Sequence, residues 1–284
     1  MQVTPVAENF GAIIANVDLS SLTDKEFDEI YDLWLKHKAL IFRGQNLTDD
    51  QLESFSARFG PLDIIPYFHK SGMTEKEFKE KGMGSIYILP ISNIENNGVK
   101  RGVLGDGEVH WHADMNYMKN PCAGIVLFGV TIPETAGDTL FPDQEGAYEA
   151  LPEEHKARIE TLSIKHDASH TSDGNIRPGF EEYDSDDPRD MPGEVHPIVY
   201  VHPETGRKSL FLGRRAWAYV VGLELDESEA LLDELWEQTI KPEHMITHKW
   251  QKGDVIAWDN RTLLHAREPF TGQRLLKRCQ INAR

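Results

Sequence analysis

The chain has 284 residues, 39% apolar and 27% charged, the balance of a globular protein long enough to bury a sizeable core. Its 47 acidic residues outnumber 30 basic ones, and a net charge of −17 with no basic run excludes nucleic acid and anionic membranes as expected partners. Two cysteines (Cys122 and Cys279) exclude a disulfide framework and a thiolate metal site, and without a secretory signal or a membrane-length apolar run a cytoplasmic setting is expected.

In chain order, residues 12–19 and 39–43 (Ala39-Leu-Ile-Phe-Arg43) read as strands. Between them Thr23 and Glu26 form a capping box, followed by Phe27, Ile30, Tyr31 and Trp34 at helical spacing. A second helix is expected from Thr48, with Gln51 three residues on and Leu52, Phe55 and Phe59 on one face. Residues 61–110 read as irregular. From Gly124 short β-runs dominate: Gly124–Ile132, Ile198–Val201, Ser209–Leu212, Val255–Trp258 and Leu275–Ile281, separated by turn signals such as Pro-Glu-Thr-Gly at 203–206. Two helices interrupt them. One covers roughly 144–162, broken near Pro152; the other, roughly 226–240, starts with Asp226 and buries Leu231, Leu232, Leu235 and Trp236. Many short strands with a few helices predict a mostly β fold with flanking helices, its core a double-stranded β-helix, or jelly roll. No boundary is forced, so residues 1–284 read as one domain. Segments 66–110 and 171–194 are candidate pocket loops or lids.

Most of the twelve histidines need no special role; His37, His155 and His244 read as surface residues. His112 differs, because it stands in Val109-His-Trp-His-Ala-Asp-Met-Asn-Tyr117. On a strand, residues two apart project to one face, so His112 and Asp114 can approach one metal from one side. A third ligand is expected from another strand, and His265, after Trp258-Asp-Asn-Arg-Thr-Leu-Leu, is the best candidate. Two histidines and one carboxylate leave open coordination positions, the arrangement of non-haem iron(II) oxygenases. By itself His-x-Asp is a weak motif. Its context strengthens it. Arg274 and Arg278 lie four apart on the expected last strand and so share a face, where guanidinium groups turned into a barrel need anions. The alternative is an exposed edge strand with both arginines in water. Thr139, in Ala136-Gly-Asp-Thr-Leu-Phe141, stands where its hydroxyl can share a carboxylate with Arg274.

At this point the sequence resembles the TauD/TfdA family of 2-oxoglutarate dioxygenases, over nearly its whole length. The pieces that carry the likeness are Phe10-Gly-Ala-Ile-Ile, Leu40-Ile-Phe-Arg-Gly-Gln, Phe59-Gly-Pro-Leu, Trp111-His-Ala-Asp, Gly137-Asp-Thr, His202-Pro-Glu-Thr-Gly-Arg-Lys-Ser-Leu, Trp258-Asp-Asn-Arg and the Arg274/Arg278 pair. The stretch from His196 to Gly213 is most similar to the aryloxyalkanoate (phenoxy acid) branch. The resemblance implies Fe(II) on His112, Asp114 and His265, 2-oxoglutarate held by Thr139 and Arg274 beside Trp258, and O₂ as the oxidant. It implies hydroxylation of a C–H in a small anionic organic acid, with release of succinate and CO₂, and ether cleavage if the acid is an aryloxyalkanoate. Taurine or another alkylsulfonate or sulfate ester is the alternative substrate. The carboxylate at Asp114 favours hydroxylation over halogenation. Arg278 matches a position that meets the substrate's acidic group. His110 either lines the substrate pocket or simply packs, and Tyr117 completes the candidate substrate contacts. A homo-oligomer is expected. The distant rivals are a non-oxidative zinc enzyme in the same barrel, which has no use for a keto-acid clamp, and a metal-free binding protein.

Overall fold

Local sequence signals set the outer helices. Thr23 and Thr48 each accept a hydrogen bond from the backbone N–H three residues on, and Glu26 and Gln51 bond back to the cap backbone, starting helices Asp24–His37 and Asp49–Ala57. These elements belong to a computed structural model that describes every residue except 82–83, 97–98, 101, 105–108, 134, 173, 178 and 182–184.

Among the described residues the two main sheets hold eight and four strands. The larger runs, neighbour to neighbour, Gln2–Pro5, Ala12–Ala15, Ala39–Phe42, Val255–Asp259, Gly124–Thr131, Leu275–Ile281, Ile88–Ser92 and Val103–Leu104. The smaller runs Met245–His248, Thr139–Pro142, His265–Arg267 and Val109–His112. The period of two along each strand sorts the core. Leu40, Phe42, Val126, Phe128, Val255, Ala257 and Cys279 face the two outer helices, where Phe27, Trp34, Phe55 and Phe59 pack edge to face. Ala39, Ile41, Ile125, Leu127, Ile256, Trp258 and Leu276 face the other way and meet Phe141, Ile246 and Leu263 of the second sheet. A third apolar cluster joins helix Leu225–Thr239 to Ile164, Ile198 and Leu210. There are seven α-helices among the described residues, and none is long and apolar enough to cross a membrane.

The expected strands and helices are present, with some shifts. The helical run at 144–162 is two helices, Gln144–Glu149 and Glu153–Ile159, with Pro152 as the cap between them. The late helix starts at Leu225 behind Glu224, so Asp226 lies inside its first turn rather than before it. Segment 61–110 is not wholly irregular. It holds helices Pro66–Ser71 and Glu75–Glu80 and strand Ile88–Ser92. Pro90 hides that strand, because proline argues against a central strand; here only Ile91 and Ser92 pair outward, with Val103 and Leu104. His37 is buried, not a surface residue, at the end of its helix, where its carbonyl accepts from Gly11 N–H.

Leu275–Ile281 lies between Gly124–Thr131 and Ile88–Ser92, so the last strand is interior rather than an edge. Arg274 directly precedes it. Arg274, Leu276 and Arg278 alternate toward the space between the sheets, while Lys277 turns outward to an ion pair with Asp49.

Candidate active site

A cavity of about 270 Å³ opens between the two sheets. His112 and His265 reach it from neighbouring strands of the smaller sheet, where their residues are paired directly across the ladder. Their ring centroids are 4.2 Å apart, and His112 Nε2 lies 3.6 Å from Asp114 Oδ1. One ligand atom from each of the three residues lies within 4.8 Å of the others. His112 Nδ1 is 2.7 Å from the His110 carbonyl oxygen. A carbonyl only accepts, so Nδ1 carries the hydrogen and Nε2 keeps its lone pair for a metal. His265 Nδ1 is buried without a hydrogen-bond partner.

Asp114 does not sit two residues along a strand, as the spacing suggested. The strand ends at His112, and Asp114 stands in the turn that follows. Its direction comes from hydrogen bonds instead. Ala113 N–H donates to the Gly213 carbonyl at 2.9 Å. Asp114 N–H donates to Asn260 Oδ1 at 2.9 Å, and Asn260 Nδ2 donates back to the Asp114 carbonyl at 2.8 Å and to the Cys122 carbonyl at 3.1 Å. Gly213 has φ +66°, and a Cβ there would strike Asn116 and His166, so only glycine fits beside the turn. Asn260 is itself fixed by the turn after Val255–Asp259. There Arg261 donates Nε to Asp259 Oδ1 at 2.9 Å and Nη2 to Oδ2 at 2.6 Å, and His202 Nε2 lies 2.9 Å from Oδ2. Burial opposes the charge on Asp259, but Arg261 and His202 outweigh it and hold its pKa down at about 2.

The second oxygen of Asp114 accepts from Arg278 Nη1 at 2.8 Å. Burial works against the Asp114 carboxylate, yet Arg278, then His112 and His265, keep its pKa well below the usual range. Burial, then the neighbouring His112, pushes the His265 pKa down, so its ring is neutral and able to ligate.

At the next stretch of the wall, Arg274 is 2% exposed. Its Nη2 donates to the Gly137 carbonyl at 3.1 Å, its Nε has no hydrogen-bond partner, and no carboxylate of a described residue pairs with it. Burial, then the charge of Arg267, lowers its pKa to about 9, which leaves it charged at neutral pH. Thr139 Oγ1 accepts from Trp250 Nε1 at 2.9 Å, so its hydroxyl hydrogen is left to donate. Trp258 is buried, its ring 5.1 Å from that of His265.

The cavity therefore gathers His112, Asp114, His265, Thr139, Trp258, Arg274, Arg278 and Tyr117. It does not gather His110. That side chain is exposed and lines a separate cavity with Trp236 and Asp233, although strand alternation would put it on the same face as His112, and only the His110 carbonyl serves the site. The sequence reading missed Arg177, Arg214, Arg267 and Asn260. Arg267 carried a signal, two residues after His265 on a strand, and Asn260 lay inside the Trp258-Asp-Asn-Arg motif. Arg177 and Arg214 carried none.

Comparison with known proteins identifies the family. The family model described as "Taurine catabolism dioxygenase TauD, TfdA family" matches residues 2–280. The (S)-phenoxypropionate/alpha-ketoglutarate-dioxygenase of Sphingobium herbicidovorans is 34% identical, over 98% of this chain and 94% of its own. The alpha-ketoglutarate-dependent 2,4-dichlorophenoxyacetate dioxygenase of Cupriavidus pinatubonensis is 32% identical, over 97% and 95%. The crystal structure of AAD-2 in complex with Mn(II) and N-oxalylglycine superposes with a TM-score of 0.78 at 26% identity, covering 100% of this chain and 97% of that one. With two histidines and a carboxylate at one end of the cavity and a family match over nearly its full length, the chain belongs to the TauD/TfdA family of 2-oxoglutarate-dependent dioxygenases.

Proposed function

We propose that this chain hydroxylates a C–H of a small organic anion, an aryloxyalkanoate in the first instance, with Fe(II) on His112, Asp114 and His265 in a single jelly-roll domain formed by the two facing sheets. One observation carries the reading: the ligand triad shares its cavity with Arg274, a buried guanidinium whose Nε has no hydrogen-bond partner and which forms no ion pair with a described residue, Asp138 acting on it only at longer range. The donor set fits a divalent iron, with nitrogen and oxygen ligands only and both histidine rings ready to ligate. When bound, the metal and 2-oxoglutarate activate O₂ and deliver hydroxyl to the substrate, with release of CO₂ and succinate.

The protein's own residues hold and orient. Arg274 receives the distal carboxylate of 2-oxoglutarate in a charge-assisted pair, and the Thr139 hydroxyl donates to the same group. Trp258 walls off water behind His265. Arg278 holds the second oxygen of Asp114, which leaves the first for the metal. Pro66, Leu89, Ile91, Met115 and Leu127 give the cavity the apolar surface that suits an aryl or alkyl body. Hydroxylation at the carbon beside an ether oxygen yields a hemiketal that splits into a phenol and a 2-oxo acid.

The test is anaerobic addition of Fe(II) and then 2-oxoglutarate, which is expected to produce a visible charge-transfer band. On admission of O₂, (S)-2-phenoxypropionate is expected to stimulate succinate formation and release phenol. A protein that forms no band and consumes no 2-oxoglutarate would not be this enzyme.

A further inference from the structure

Thr139 and Arg274 line the cavity at its 2-oxoglutarate end, and both rest on an indole behind them. Trp250 is buried, its Nε1–H donates to Thr139 Oγ1 at 2.9 Å, and its ring centroid lies 5.8 Å from Arg274 Cζ. Phe270 meets the same guanidinium, its centroid 5.2 Å from Cζ. Neither aromatic has a part in the chemistry derived so far.

The indole is held from several sides. It follows strand Met245–His248, in which His248 stands directly across the ladder from Thr139. The His248 ring meets Trp250 edge to face, with centroids 4.5 Å apart and an interplanar angle of 85°. Asp254 Oδ2 lies 3.3 Å from His248 Nε2, accepts from Gln251 N–H at 2.8 Å and pairs with Arg43, which closes the turn after Trp250. Gly129 leaves room for the ring; a Cβ there would come within 3.1 Å of Trp250 Cε3. A threonine hydroxyl has one hydrogen and rotates to suit its surroundings, whereas an indole N–H can only donate. With Nε1–H directed at Oγ1, the hydroxyl hydrogen has to turn elsewhere. The two ring faces meanwhile offset part of the cost of burying Arg274.

We propose that Trp250 is a positioning residue for the cosubstrate: its N–H turns the Thr139 hydroxyl toward the distal carboxylate of 2-oxoglutarate, and its ring, with that of Phe270, supports Arg274 for the same group. The inference rests on the dioxygenase reading above and deepens it. Trp250 acts through Thr139 and Arg274 and not on the metal. Its influence is therefore confined to ligands that carry a distal carboxylate. Oxalate offers a metal the same kind of chelate without that arm, so its binding is independent of Trp250.

The test is a double-mutant cycle with Trp250→Phe, which keeps a ring and deletes the N–H, and Thr139→Val, which deletes the hydroxyl. Each protein is loaded anaerobically with Fe(II) and titrated by calorimetry with 2-oxoglutarate and with oxalate. Trp250→Phe is expected to raise Kd for 2-oxoglutarate about 3- to 10-fold and to leave oxalate and Fe(II) binding unchanged. In the Thr139→Val background the same change is expected to add nothing, because the indole then has no oxygen to hold. A purely structural role would instead weaken oxalate and 2-oxoglutarate alike, or act equally in both backgrounds, and either result overturns the proposal. So does unchanged 2-oxoglutarate affinity in Trp250→Phe. A second measurement does not depend on the folding of that variant. With isotope-labelled indole nitrogens and diamagnetic Zn(II) in the site, the Nε1–H resonance that moves in Thr139→Val is expected to move when 2-oxoglutarate is added. A resonance that stays in place overturns the proposal. An unmodified enzyme that binds oxalate but not 2-oxoglutarate on Fe(II) overturns the dioxygenase reading and this role with it, whereas the other adverse results overturn the role alone.

Discussion

The two ends of the cavity are built differently. At one end His112, His265, Thr139 and Arg267 stand on strands, and Asp114 and Arg274 stand within two residues of one. At the other, Tyr117, Thr171, Ser172, Arg177 and Arg214 come from turns and connecting segments. Strands fix a side chain through a ladder of backbone bonds, whereas loops can be rebuilt without disturbing the core. A fold that must keep one oxidative reaction while changing its substrates gains from that division. The acidic exterior sharpens it: a chain of net charge −17 turns five arginines into a cavity whose lining, among the described residues, holds one carboxylate.

The division can be broken by experiment. The largest effect is expected from Arg274→Met. Removing one partner of a buried charge pair should raise KM for 2-oxoglutarate roughly 30- to 1,000-fold while Fe(II) affinity, read by calorimetry, is kept. An equal loss of metal affinity would show that clamp and triad are not separable. Next comes Asn260→Ala. Removal of a hydrogen-bonding support of a ligand is expected to lower Fe(II) affinity about 10- to 100-fold with little change in 2-oxoglutarate affinity at saturating metal. Unaltered metal binding would mean that the turn orients Asp114 without the amide. The smallest effect belongs to the outer layer. Thr23→Ala removes the side-chain half of a capping box and should cost about 1 kcal/mol, roughly 2 °C in Tm, with no change in either KM. A kinetic effect there would show that the outer helices and the cavity are coupled.

The same division explains what the sequence disclosed. Capping boxes at Thr23 and Thr48 and alternation in Leu275–Ile281 are local patterns, and the structure keeps them. His112 and Asp114 were legible because they are close in sequence, although a turn held by Asn260 does what strand alternation was expected to do. Strand Ile88–Ser92 was hidden by Pro90, whose position near the sheet margin no local rule reveals. Arg278 pointed to an acidic partner, and the one it meets in the fold is Asp114. Arg177 and Arg214 were illegible. Their convergence on Tyr117 spans 60 residues one way and is set by loop paths, not by any period. His110 shows the opposite error, a residue conspicuous in the motif whose side chain points away from the chemistry.

The paired bonds between Asn260 and the Asp114 backbone have a consequence for motion. A turn at the rim of a cavity ordinarily exchanges its amide hydrogens quickly, through small local openings. The Asp114 N–H is instead tied to a side chain that is 0% exposed, within a turn locked by Arg261 and His202. Its hydrogen can exchange only when residues 258–261 come apart, at a rate set by opening of the core strand behind them. On the proposed reading, the turn that carries the Asp114 carboxylate is thus already in place before any metal arrives.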